Sequence, residues 1–114
     1  MFLGIDLGTS NSAVAGLVEH APRIFKTPEG GDVMPSVLYL DARGNLTVGV
    51  RARDRTLSAP ENTAQRFKRL IGSSTTLAFA AAKRAMTPEQ ASTEVLRALV
   101  GQAEVESGGA PLDG

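Results

Sequence analysis

The sequence predicts an α/β fold in which N-terminal antiparallel hairpins are followed by helices. Two observations predict the first hairpin: residues 2–7 alternate in character, and turn-forming residues separate them from the small, apolar run at residues 12–18. A third observation predicts helices in the second half, because the apolar residues after Thr87 recur at helical spacing. A chain of 114 residues holds at most one ordinary domain.

Three further strands are expected in the first half. Residues 23–26 follow Pro22, and residues 36–40 (SVLYL) form a short apolar run. The turn sequence DARGN at residues 41–45 then leads into a strand at residues 46–48. The first half therefore reads as successive hairpins.

Helices are expected from residue 50 onwards. Residues 50–57 suit a short helix, and Pro60 suits the first turn of a second one, which Gly72 would end. The second helix would carry one stripe formed by Ala64, Phe67, Lys68 and Ile71. The alanine-rich residues 77–86 are also expected to be helical.

The last helix has the clearest signal. Thr87 can cap it, Pro88 tolerates the first helical position, and Gln90 stands at the capping-box position. Its apolar stripe consists of Ala91, Val95, Leu99 and Ala103. Residues 110–114 are expected to be loop, with no strand after the helix.

Composition excludes several classes of function. Twelve basic and twelve acidic residues balance, so nothing favours nucleic acid or an anionic membrane as a partner. The chain contains no cysteine and one histidine, His20, which cannot build a zinc site alone. No apolar run approaches the roughly 20 residues of a membrane span. We therefore expect a soluble, cytoplasmic chain.

The turn after the first strand has the residues of a phosphate site. A carboxylate such as Asp6, at the end of an apolar strand, needs a hydrogen bond, an ion pair or a cation. Magnesium, held through water, is a natural partner where phosphates are near. Gly8 allows close approach of the backbone, and Thr9 and Ser10 add hydroxyls beside turn amides. These residues predict ATP binding; the alternative is an acidic hairpin corner, since the same types favour turns.

Lys68 is the second candidate, because its stripe places it beside apolar neighbours. A lysine directed inward could neutralise phosphate charge or orient an attacking water. Alternatively, its stem could lie on apolar surface with the ammonium group in solvent. Arg66 and Arg69 fall away from this stripe and are expected to be surface charges.

At this point the sequence resembles a known family. The segment GIDLGTSNS at residues 4–12 is similar to the first phosphate motif of the DnaK-like, seventy-kilodalton heat-shock chaperones, and related signatures occur in actin-like ATPases and sugar kinases. Further similarity lies in PSV at residues 35–37 with Gly49, PENT at residues 60–63, FKRLIG at residues 67–72, and TPE at residues 87–89. The resemblance runs from residue 2 to about residue 109.

The resemblance implies the first lobe of an actin-like ATPase (ribonuclease H-like) fold, here incomplete. It implies ATP or ADP with magnesium as ligands, and unfolded polypeptides and co-chaperones as partners of a full-length parent. Asp6 would lie at the magnesium through water, and Lys68 would assist hydrolysis. The residues that would bind the nucleotide phosphates are Gly8, Thr9, Ser10 and Asn11.

Two departures from the family pattern limit this expectation. Residues 73–86 form a shorter segment than the chaperones usually carry there. Residues 1–114 would be a partial nucleotide-binding domain, without a complete second lobe or a peptide-binding domain, and inactive as an ATPase alone. The alternatives are a small non-catalytic binding or regulatory module derived from that domain, and a fragment of another actin-like ATPase or a sugar kinase.

Overall fold

The computed structural model describes all residues from 1 to 114, and it contains nine short strands and two α-helices. The elements in chain order are β1 (Leu3–Leu7), β2 (Asn11–Val18), β3 (Ala21–Ile24), β4 (Met34–Pro35), β5 (Val37–Leu40), β6 (Leu46–Val48), α1 (Val50–Arg53), β7 (Thr63–Gln65), β8 (Leu77–Phe79), β9 (Arg84–Met86) and α2 (Pro88–Glu106). Two 3₁₀ turns, Pro60–Asn62 and Phe67–Leu70, flank β7.

The first sheet confirms the expected N-terminal hairpins. Strand β2 pairs antiparallel with β1 and β3, and its first two residues also pair with β4. Side chains alternate along β2, so that Ser12, Val14 and Gly16 are buried on one face. The other face is uncovered, and it exposes Leu17 and Ile24. Strand β3 begins two residues earlier than expected.

The second sheet places β5 between β6 and β7, all antiparallel. Both faces of β5 are largely covered, with Leu38 and Leu40 fully buried. Val37 pairs with Gln65 of β7, and this register brings the end of β7 towards the start of β5. The strands expected at residues 36–40 and 46–48 are therefore confirmed.

Helix α2 closes the core, as its sequence predicts. The Gln90 amide donates to the Thr87 hydroxyl (3.1 Å), and the Thr87 amide donates to the Gln90 side-chain oxygen (2.9 Å), which completes the capping box. All members of the predicted apolar stripe are fully buried: Ala91, Val95, Leu99 and Ala103. They join Phe25, Phe67 and Phe79 in one cluster.

The helix expected from Pro60 to Gly72 is wrong. Residues 63–65 instead pair with β5 as a strand, because that pairing supplies backbone hydrogen bonds and buries Ala64. Arg66 then takes a left-handed conformation (φ 57°), which no α-helix accommodates. Phe67 is buried while Ile71 is 46% exposed, so the proposed stripe does not share one face.

The helix expected at residues 77–86 is also wrong. Strands β8 and β9 pair as a hairpin across a turn that contains Lys83 at φ 53°. Burial of Phe79 and Met86 at the two ends of this hairpin outweighs the helix propensity of its alanines. The helix expected at residues 50–57 is confirmed only in part, because α1 ends at Arg53.

The chain after α2 forms no strand, as expected, yet it contacts the free edge of β1. The Asp113 amide donates to the Met1 carbonyl (2.8 Å), and the Leu3 amide donates to the Gly114 carbonyl (2.6 Å). The two segments run in the same direction along this contact. None of the helices is long and apolar enough to cross a membrane.

Candidate functional site

A hydroxyl network fixes the turn that joins β1 to β2. The Ser36 hydroxyl donates to the Gly8 carbonyl (2.9 Å) and lies 2.7 Å from the Ser12 hydroxyl. The Gly8 amide donates to the Ser12 hydroxyl (3.3 Å), and the Ser36 amide donates to the Ser10 carbonyl (2.9 Å). Residues 8–12 are therefore held by contacts within the turn and by the junction of β4 and β5.

The turn is too tight for a side chain at its first position. A Cβ atom built on Gly8 would overlap the carbonyl oxygen of Asn11, which is a backbone atom and cannot swing aside. Glycine at this position lets the chain reverse tightly enough for Ser12 to pair with Leu7 across the hairpin. The backbone geometry thus depends on the glycine that the sequence singled out.

Beside the turn lies a polar cavity of about 260 Å³. Three of the predicted phosphate-binding residues line it, namely Thr9, Ser10 and Asn11. The rest of the lining comes from segments further along the chain, namely β4, β5, α1 and the end of β7. Its residues are Pro35, Ser36, Val37, Arg53, Gln65 and Arg66. Polar residues therefore dominate a space that one turn and four other elements share.

Contacts at the start of α1 help to position Arg53 at this cavity. Gly49 is the N-cap residue of helix α1, and the carboxylate of Glu29 accepts hydrogen bonds from the first two helical amides, those of Val50 (2.7 Å) and Arg51 (3.1 Å). A carboxylate at this end of a helix satisfies amides that have no partner within the helix. Arg53 is the last residue of α1, four positions beyond Gly49, and it lines the cavity.

The charge of the cavity lining is positive. Arg53 and Arg66 line it, and no carboxylate does. Neither guanidinium group forms an ion pair or a hydrogen bond within the chain, whereas Arg23 pairs with Glu106. The cavity therefore combines two unneutralised cations with the hydroxyls of Thr9 and Ser10.

Asp6 and Lys68 do not line this cavity. Asp6 is exposed on the uncovered face of the first sheet, opposite Ala13, where it borders a separate shallow depression. Lys68 is exposed in the 3₁₀ turn that follows Arg66, and its ammonium group makes no hydrogen bond or ion pair within the chain. Their proposed roles at magnesium and in hydrolysis stay predictions.

The chain also contains no group of three or more histidine, aspartate or glutamate side chains that could hold a metal ion by themselves. A magnesium ion near Asp6 would therefore need water and phosphate oxygens for most of its coordination shell. That is the usual arrangement for magnesium at phosphate sites.

Arg53 and Gln65 were not predicted as site residues, and Arg66 was expected to be a surface charge. Arg66 is indeed exposed, but it also lines the cavity. Gln65 and Arg66 approach the turn because Val37 pairs with Gln65 and Ser36 contacts the turn, whereas Arg53 stands at the end of α1, whose first amides bond to Glu29. No local spacing carries that information, since the contacts join segments that are far apart in the chain.

A hairpin with a hydroxyl-rich turn, braced from a second sheet and facing a polar cavity, is compatible with an incomplete lobe of an actin-like ATPase. The family model described as Hsp70 protein matches residues 2–94. The chain belongs to the Hsp70 family, whose members have the actin-like ATPase fold. The matches give no support to the sugar-kinase alternative.

Individual relatives agree with this assignment. The chain is 39% identical over 106 residues to the "Chaperone protein DnaK" of Cenarchaeum symbiosum, covering 90% of this chain and 16% of that protein. It is 38% identical to the DnaK of Nitrosopumilus maritimus, with the same coverage. It is 41% identical over 61% of its length to the mitochondrial heat shock 70 kDa protein of Solanum tuberosum, and covers 10% of it. The chain thus spans about a sixth or less of these relatives.

Proposed function

We propose that residues 1–114 form the opening part of the first lobe of a DnaK-like ATPase domain and supply part of its ATP site. In the full-length protein, ATP hydrolysis would control the binding of unfolded polypeptides, with co-chaperones as further partners. The observation that carries the proposal is the braced turn, whose Thr9, Ser10 and Asn11 line a positively charged polar cavity.

The residues present fit the phosphates of ATP or ADP. Turn hydroxyls and amides can donate to phosphate oxygens, and a cavity without carboxylates does not repel them. Gly8 keeps a side chain out of the tight turn. This donor set has no aromatic or extended apolar surface for a base, so it suits the phosphate end of a nucleotide and not its adenine.

Asp6 and Lys68 have separate roles in this proposal. Asp6 would hold magnesium through water, and magnesium when bound offsets the charge of the phosphates. Lys68 would bring an ammonium group towards the transferring phosphoryl group and stabilise the charge that develops there. Both side chains are exposed, so neither has to leave a buried pairing to reach a ligand.

The 114 residues alone are expected to bind phosphates weakly and to hydrolyse ATP negligibly. Phosphoryl transfer needs donors that converge on the nucleotide and exclusion of bulk water. One turn and one open cavity supply only part of this. The proposed compartment is the cytoplasm; since one relative is mitochondrial, cell fractionation has to test this assignment directly.

The test is a titration of the chain with magnesium-ATP, followed by amide chemical shifts and by calorimetry. Binding should shift the amide signals of residues 8–12, and the double variant T9V/S10A should bind at least about tenfold more weakly. The control variant S74A/T75V removes the same two hydroxyls from an exposed segment where neither side chain makes a hydrogen bond. Equal binding by both double variants and the wild-type chain would contradict the proposal.

A further inference from the structure

Two arginines approach the phosphate turn from elements that are distant in sequence. Arg53 ends α1, and Arg66 directly follows β7. Both residues line the cavity that Thr9 and Ser10 also line. The fold therefore brings two guanidinium groups to the one turn whose residues suit phosphate.

The remaining contacts of the chain leave these two groups available. Three other arginines are engaged within the chain: Arg23 and Arg97 form ion pairs, and Arg55 lies over the ring of Tyr39. Arg53 and Arg66 have neither kind of partner. A guanidinium group presents a planar set of donors that matches two oxygens of a phosphate, so two of them favour an anion with several phosphate oxygens.

The backbone at Arg66 gives a second, independent observation. Arg66 adopts φ 57° and ψ 24°, a left-handed conformation that costs a non-glycine residue roughly 1 kcal/mol or more. Glycine or asparagine would adopt it more easily. The strained residue is an arginine that lines the cavity, and residues held in unfavourable backbone conformations cluster at ligand sites.

We infer that Arg53 and Arg66 bind the terminal phosphate of an oligophosphate chain whose preceding phosphate contacts residues 8–11. This inference rests on the proposed function, since it concerns the same cavity. It adds a reason why the cavity distinguishes ligands by their number of phosphates. Two guanidinium groups beyond the turn make binding depend on the number of phosphates. The cavity therefore prefers a triphosphate to a monophosphate, whether the triphosphate is free or attached to a nucleoside.

The test uses the 114-residue chain with tripolyphosphate, magnesium-ATP and AMP as ligands, at one fixed ionic strength. R53Q and R66N should each weaken tripolyphosphate and ATP binding about tenfold, because each removes a charged hydrogen-bond donor pair. AMP binding should change less than twofold. The matched control is R51Q, which removes the same charge from α1 at a position that does not line the cavity.

A further variant separates binding from folding. R66G removes the guanidinium group and relieves the left-handed strain, so it should bind tripolyphosphate more weakly while unfolding at a higher urea concentration. R66K retains the charge without the planar donors, and it should recover only part of the affinity. These two variants keep the test valid if R66N folds poorly.

The outcomes distinguish this inference from the proposed function. If wild-type chain binds ATP through residues 8–12, while R53Q and R66N bind tripolyphosphate as tightly as wild type, the inference is wrong and the proposed function stands. If the arginines control tripolyphosphate binding but T9V/S10A has no effect on ATP, the proposed function fails and the arginine site stands. No tripolyphosphate binding by wild type, or an equal loss in R51Q, overturns the inference.

Discussion

The hydroxyl oxygens of Ser12 and Ser36 lie 2.7 Å apart in the interior, and they join segments separated by 24 residues. The direction of each hydrogen bond follows from the neighbours. Ser36 donates its proton to the Gly8 carbonyl, so Ser12 must donate to Ser36 and can accept from the Gly8 amide. This closed network attaches the phosphate turn to the second sheet.

Removal of the Ser36 hydroxyl should loosen this attachment. In S36A the Ser12 hydroxyl and the Gly8 carbonyl each lose a partner in a largely buried place, which should lower the free energy of unfolding by about 1–3 kcal/mol. Urea denaturation measures the change. S58A serves as control, because Ser58 is exposed and its hydroxyl makes no hydrogen bond. If S36A lowered the free energy of unfolding by less than about 0.5 kcal/mol, as neutral surface changes do, the Ser36 hydroxyl would not stabilise the turn.

The tight approach at Gly8 predicts a different defect. G8A should destabilise the chain by about 1–3 kcal/mol, since its methyl group would meet the Asn11 carbonyl oxygen and force the turn open. The same variant should lose magnesium-ATP binding at residues 8–12. In the control G4A the added methyl group meets no atom within 4 Å, so stability and binding should be retained. Normal ATP-induced shifts in G8A would show that the turn tolerates opening.

Sequence reasoning succeeded where the signal is local. The β1–β2 hairpin follows from alternation and turn residues, and the start of α2 follows from Thr87 and Gln90, whose capping bonds lie within one turn. Thr9, Ser10 and Asn11 could likewise be singled out, because neighbouring residues form the turn.

The errors fall where tertiary pairing overrides a local pattern. Residues 63–65 have helix-compatible spacing, but β5 offers them a strand partner. Phe79 and Met86 bury their side chains as the ends of a hairpin, although alanines dominate the segment between them. Arg66 contributes to the candidate site for the same reason: its position depends on β7 pairing with β5.

The capping box of α2 predicts a measurable loss of stability. T87A removes the hydroxyl that accepts from the Gln90 amide, and it should lower the free energy of unfolding by about 1 kcal/mol. Thermal unfolding monitored by far-ultraviolet circular dichroism reports the change. T93A is the control, because Thr93 lies inside the same helix, where alanine has the higher helix propensity. If T87A melted at or above the temperature of T93A, the cap would not be stabilising.

Lys68 is the residue whose role is most easily separated from nucleotide binding. In a full-length protein that contains this segment, K68A should lower the rate of ATP hydrolysis about a hundredfold, since the lost ammonium group would act chiefly on the transition state. The affinity for magnesium-ATP should fall much less. K26A is a matched control, because the Lys26–Asp32 pair is exposed and neither residue lines the cavity. Unchanged turnover in K68A would mean that Lys68 is a surface residue with no role in hydrolysis.

The contact between Glu89 and Gly72 makes stability depend on pH. The Glu89 carboxylate accepts a hydrogen bond from the Gly72 amide (2.8 Å), and this bond is the main reason that its pKa lies below the ordinary value of 4.5. A lowered pKa in the folded state means that the stabilisation is complete above the unfolded value and is lost as pH falls through the folded value.

The variant E89Q isolates this effect. The difference in unfolding free energy between wild type and E89Q should be constant near neutral pH and should shrink as the pH falls below about 4.5. Urea denaturation at a series of pH values measures it. E104Q removes one charge from the same helix without removing a side-chain hydrogen bond, so it controls for net charge. A wild-type minus E89Q difference that stays constant from neutral pH to pH 3 would mean that the Gly72 amide holds both protonation states of Glu89 equally well.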